Sequence, residues 1–141
     1  MIFKVAYTRL GVLNGICRRL IYDSAANSLA LITNSASSTA KILEGKTKIS
    51  SYSQAQSQRQ SGKKLSAADQ TKLIQSIVNN GFFQTNGVYP PDPMGPQDYI
   101  LSILAVAMDQ NLHTVLWAET SSDVPSGLNS IVETIQEIAS K

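Results

Sequence analysis

Histidine and cysteine occur once each in this chain of 141 residues, as His113 and Cys17. That scarcity excludes the common His/Cys zinc clusters, which draw on about three or four such ligands. It also excludes an internal disulfide and leaves a cysteine nucleophile only one imidazole to activate it. Cys17 therefore reads as a small buried strand residue. A lone cysteine suits a reducing compartment, so a cytoplasmic location is expected. Charge is sparse too: 16% of the residues are Asp, Glu, Lys or Arg, against roughly 25% in typical globular chains. No window approaches the roughly 18 uninterrupted apolar residues of a membrane helix. The opening "MIFKVAYTRL" alternates in residue type and meets Arg9 early, unlike a secretory signal. A nucleophile elbow, a phosphate-cradling glycine loop and a dinucleotide fingerprint are also missing. No enzymatic activity, cofactor or metal is expected, and a binding protein is the remaining class.

Proline is rare except in one place. Four of the five prolines, Pro90, Pro91, Pro93 and Pro96, fall within seven residues of "NGVYPPDPMGPQDYILSIL", directly before the most apolar run. Net charge is +2, but it is uneven: residues 1–64 carry ten basic side chains against two acidic, and residues 65–141 carry two against eight. Such asymmetry can mark a nucleic-acid surface, or two halves that neutralise each other on packing.

The periodicities predict a single α+β domain over 1–141. Phe3, Val5 and Tyr7 alternate with Lys4, Ala6 and Thr8, as in a strand with one wet face. "GVLNG" (Gly11–Gly15) supplies a reversal, Ile16–Asp23 returns as a second strand, and Ser28–Thr33 gives a third. Residues 34–64, with "SSYSQAQSQRQSGKK", carry too little apolar surface to offset backbone ordering, about 1–2 kcal/mol per residue. They read as a polar, mobile insertion, with a weak hairpin signal around Glu44–Gly45.

A helix follows, with Ser66 as N-cap, Leu73, Ile74, Ile77 and Val78 as its stripe, and Asn80–Gly81 as its end. Residues 98–108 and 112–119 read as a hairpin turning at "DQN". Both of its faces are apolar, so it belongs in the middle of the sheet. A closing helix has Ser122 or Asp123 as its cap, Pro125 in the first turn and a buried stripe of Leu128, Ile131, Val132, Ile135 and Ile138. The expected architecture is an antiparallel sheet of four to five strands with two helices packed on one face, in the order βββ-(insertion)-α-ββ-α.

Candidate chemistry is thin. His113 and Glu119 share a strand face but lie roughly 20 Å apart, too far for direct proton exchange. Tyr7, Arg9, Arg18 and Tyr22 on the first hairpin are the residues that a nucleic-acid surface would use. The proline loop offers more. Each proline fixes φ near about −65° and favours extended geometry before it. A loop stiffened in this way loses less entropy on binding, and Tyr89 and Met94 give it apolar contact points. The plain alternative is a connector that keeps the sheet edge from pairing with other chains.

Three stretches taken in order, "YTRLGVLNGICRRLIYD", "LSAADQTKLIQSIVNNGFF" and "DYILSILAVAMDQNLHTVLWAETSSDVPSGLNSIVETI", resemble the emfourin family. These are small bacterial and archaeal proteins that inhibit thermolysin-like zinc metalloproteases. The likeness rests on the Arg–x–Gly hairpin opening, the Leu–Ser helix start, the Asp–Tyr strand, "HTV…E" and the Pro–x–x–Leu helix start. The chain departs from the family in the insertion 34–64, and in Leu10–Gly11–Val12 where a glycine pair is expected. The resemblance implies an inhibitor that occludes the protease cleft. The implied contact surfaces are the tip Gly11–Gly15 (Leu13, Asn14), the loop Tyr89–Gln97 (Tyr89, Pro90, Pro91, Asp92, Pro93, Met94) and the segment Thr120–Ser126. The alternative is a nucleic-acid or acidic-partner protein that uses the basic half.

Overall fold

The computed structural model describes residues 2–11, 17–34, 58–59, 63–93, 95 and 99–141. Its elements are β1 (Phe3–Gly11), β2 (Cys17–Asp23), β3 (Ser28–Asn34), β4 (Gln58–Arg59), α1 (Ala67–Asn79), a 3-10 turn (Phe82–Gln84), β5 (Val88–Tyr89), β6 (Ile100–Met108), β7 (Asn111–Ala118) and α2 (Ser126–Ser140). One mixed sheet has the order β4-β3-β2-β1-β6-β7-β5. Every pairing is antiparallel except β5 with β7.

The five long strands are those the sequence leads one to expect, and β6 lies between β1 and β7 as its two apolar faces require. The strand count and the purely antiparallel description need correcting. Two strands of two residues border the sheet, and one of them runs parallel to its neighbour. Two residues are too short to display a period. Val88 and Tyr89 also precede the first proline and keep their N–H groups, so proline does not bar them from the sheet. Leu116 N–H donates to the Gly87 carbonyl at 2.8 Å where β5 begins. Of residues 34–64, Asn34 closes β3, Gln58–Arg59 form β4, and Lys63 bridges Leu29 in antiparallel fashion. The suggested hairpin at Glu44–Gly45 lies outside the described residues.

Pleating assigns each strand residue to a face. Phe3, Val5 and Tyr7 share one face with Tyr22, Leu104, Val106, Val115 and Trp117, and both helices pack there through Leu73, Ile77, Leu128, Ile131, Ile135 and Ile138. Ser66 caps α1 by accepting the Asp69 N–H at 3.1 Å. Ser66→Ala is expected to lower stability by about 1 kcal/mol in urea unfolding; an unchanged midpoint would remove the cap from the account.

Asn27, at φ 45° in the β2–β3 turn, holds the approach to α1. Its side chain donates to the Leu65 carbonyl at 3.1 Å and accepts the Leu65 N–H at 3.2 Å. The two-residue turn after β6 places Asp109 at φ 54°, a conformation that Asp tolerates. α2 departs from expectation at its start. Pro125 occupies the cap position with no side-chain hydrogen bond, because the helix starts at Ser126, which leaves Asp123 and Ser122 two and three residues before the cap.

The other sheet face is also buried, at Thr8, Leu10, Cys17, Ala30, Ile32, Leu101 and Ala118. Arg19 lies among them, fully out of solvent. The Arg18–Arg19 pair is therefore no joint basic surface, since alternation sends Arg18 to solvent and Arg19 inward. Burial lowers the Arg19 guanidinium pKa from its usual value, and contact with Cys17 works in the opposite direction. Among the described residues, no helix is long and apolar enough to cross a membrane.

Candidate functional site

One end of the sheet brings the described part of the proline segment beside the segment that follows β7. β1 finishes there at Gly11, opposite Ile100 at the start of β6. β7 finishes there at Ala118, and β5, being parallel to β7, runs into the proline segment at the same end. Glu119 N–H donates to the Ile100 carbonyl at 2.9 Å, and Ser121 N–H to the Ala118 carbonyl at 2.9 Å. The chain beyond β7 therefore turns tightly across the rim.

Tyr89 anchors the proline segment. It pairs in register with Trp117, its ring lies in the main core, and its hydroxyl accepts the Asn86 N–H at 3.0 Å. It is thus a foundation of the loop instead of an outward contact point. Pro90 and Pro93 are exposed, and Pro91 and Asp92 are half-buried. Asp92 Oδ1 accepts both the Ser122 hydroxyl at 3.1 Å and the Ser122 N–H at 3.3 Å. The Asp92 carbonyl also accepts the Gly95 N–H at 2.9 Å, which closes a turn. One carboxylate thereby ties the loop to the Thr120–Ser126 segment. Met94, Leu13 and Asn14 lie outside the described residues, so the expected tip of the first hairpin is not placed.

Behind the rim, on the helix-bearing face, a chain of polar contacts fixes Glu119. Arg9 Nε and Nη2 each donate to its carboxylate at 2.9 Å, and Ser102 Oγ donates at 3.0 Å. With the Ser102 proton so used, the Tyr7 hydroxyl donates to Ser102 Oγ at 3.3 Å. The Arg9–Glu119 fork raises the Arg9 pKa. Both partners are partly exposed, so the pair adds at most about 1 kcal/mol. What it supplies is position: it fixes the residue from which the Ser121–Ser122 turn departs.

Tyr7 is buried, and that burial raises its phenol pKa, while the Ser102 hydrogen bond works against the rise. A folded-state pKa above the unfolded value of 10.0 means that the unfolded chain loses its proton first. The stability from this group is therefore complete below about pH 10 and is lost as pH climbs further. Tyr22 shifts in the same direction for the same leading reason. Tyr7→Phe is expected to make the alkaline loss shallower without abolishing it, as read by urea unfolding at about pH 8 and about pH 11. An unchanged alkaline limb would contradict the assignment.

The other sequence candidates resolve into structure. Tyr7 and Tyr22 are both in the core, so neither ring is free to stack on a base. His113 Nε2 lies 3.0 Å from the Thr85 carbonyl oxygen. A carbonyl only accepts, so that nitrogen carries the proton and the ring packs edge-on to Phe82 at 5.2 Å between centroids. The Asp92–Ser122 tie was not legible in advance, because the two residues are 30 apart and share no local pattern.

The chain matches no protein-family model and no curated protein.

Proposed function

We propose that this chain is a non-enzymatic protein-binding domain that presents the rim Pro90–Pro93 and Glu119–Ser122 to another protein. The observation that carries the reading is the double acceptance of Ser122 by Asp92, above a Tyr89 sunk in the core. A loop already held in place gives up little further entropy when it is gripped, so more of its contact energy appears as affinity. Exposed Pro90 and Pro93 then offer stiff apolar surface with no N–H groups to desolvate. The emfourin resemblance names the partner class: a thermolysin-like zinc metalloprotease, whose cleft such a rim fills so that substrate is kept out. The buried rings of Tyr7 and Tyr22 weigh against a nucleic-acid surface on the first hairpin.

The test is a titration of thermolysin hydrolysing a short peptide substrate. Rising amounts of the protein are expected to block hydrolysis. Asp92→Ala, which frees the loop from Ser122, is expected to weaken the block by about tenfold, about 1.4 kcal/mol. A protease that keeps full activity at saturating protein rejects the protease assignment. Equal inhibition by the wild type and Asp92→Ala removes the tie from the explanation.

A further inference from the structure

We infer that the groove beside α2 is a docking surface for an acidic segment of a partner protein, with Arg18 as the receptor for its carboxylate. The floor is a single row of side chains across the sheet. Register sets Arg18 beside Arg9, Arg9 beside Ser102, and Ser102 beside Trp117. α2 forms the wall, through Asn129, Val132, Gln136, Ala139 and Ser140. Two hollows of about 230 and 280 Å³ share Tyr7, Arg9 and Gln136, so they are one groove. From Leu31 on β3 to Glu119 past β7 it crosses four strand spacings, about 19 Å, which is room for about six extended residues. That length and openness suit a peptide better than a small molecule.

Charge selects which peptide. Like charges directly opposite on neighbouring strands repel, and Arg9 and Arg18 are such a pair. Glu119 neutralises Arg9. Arg18 is exposed, and among the described residues its side chain has no hydrogen-bond or ion-pair partner. The three side chains together leave one positive charge, which one incoming carboxylate balances through the planar guanidinium fork. Beside it Leu20, Leu31 and Ala139 are half-buried and line the same groove. The matching element is an Asp or Glu next to an aliphatic residue. A polyphosphate backbone fits less well, because Glu119 and the aliphatic strip oppose it.

The proposal does not depend on the protease reading, since Arg18, Leu20, Leu31 and Ala139 are not rim residues and only Glu119 belongs to both surfaces. Its test is to pan a phage-displayed library of random peptides of about six residues against the full chain. Fluorescein-labelled synthetic copies of the enriched peptides are then titrated with the protein. The expected winners carry Asp or Glu adjoining Leu, Ile or Val. Arg18→Gln, at an exposed position that leaves the fold intact by circular dichroism, is expected to weaken them at least tenfold. Ala139→Glu, which puts a carboxylate on the groove wall, is expected to abolish binding. Enriched peptides without an acidic residue, no enrichment, or undiminished affinity in Arg18→Gln would each overturn the proposal. So would displacement of the bound peptide by a single-stranded oligonucleotide at equal concentration. Loss of peptide binding in Arg18→Gln with protease inhibition unchanged separates the two surfaces.

Discussion

Trp117→Ala is expected to lower the stability of the folded state by about 3–5 kcal/mol. Trp117 heads the largest fully buried side chains, at 1% exposure, and lies between Ser102 on β6 and Tyr89 on β5. Truncating a buried aromatic to alanine costs about 3–5 kcal/mol, because the neighbours close the cavity only in part. Whole-domain stability is about 5–15 kcal/mol, so this single change removes much of it. The loss is also local in kind. Tyr89 packs in the same cluster, so the proline segment loses its foundation along with the core. Trp117 is the only tryptophan, so urea unfolding is followed by far-ultraviolet circular dichroism. A cost under about 1 kcal/mol would mean that the strand pairing around β7 differs from that described.

The second large effect sits where the helices meet. Gly127, in the first turn of α2, has no side chain because none fits: a Cβ there would stand 2.9 Å from the Asn80 carbonyl oxygen and 3.1 Å from Asn80 Cβ, at the end of α1. Two effects oppose each other on substitution. Helix propensity favours alanine over glycine by about 1 kcal/mol. Overpacking against backbone costs about 1–3 kcal/mol, since a carbonyl cannot swing away as a long side chain can. Overpacking is expected to win. Gly127→Ala is mildly destabilising, and Gly127→Val, with two branches at the crowded position, falls at the upper end of that range in the same urea experiment. A gain of about 1 kcal/mol in Gly127→Ala would show the propensity effect unopposed, and the helix ends would then not be in contact.

What the sequence revealed divides along the range of the interactions. The long strands and both helices were legible because each repeats its signal several times over. Phe3, Val5 and Tyr7 declare one face of a strand, and Leu128, Ile131, Ile135 and Ile138 one face of a helix. β5 was not legible: Val88 and Tyr89 join the sheet through a parallel neighbour 28 residues away, and two residues have no rhythm. In the sequence Tyr89 reads as an apolar contact point of the proline loop, whereas its partner Trp117 draws it into the core.

The candidate site shows the same division. Pro90 and Pro93 are exposed on a rim, as their chemistry suggested. What holds that rim, the Asp92–Ser122 contact, joins distant residues of a common type, and Ser122 taken alone resembles a helix cap. Arg18 and Arg19 look equivalent in a count of charge. Only the strand's alternation separates an exposed cation beside a groove from a buried one on the opposite face.

On the proposed function, a loop held beforehand at one end of the sheet is what grips the partner. Hydrogen–deuterium exchange of the protein, alone and saturated with thermolysin, tests it most directly. Alone, the Ser122 amide, which donates to Asp92, should exchange slowly for so exposed a position. In the complex, new protection should appear at Tyr89, Asp92, Gly95 and Glu119–Asp123 and leave the exposed face of α1 unchanged. Protection confined to the helices, or a rim that exchanges as fast with the protease as without it, would contradict the account.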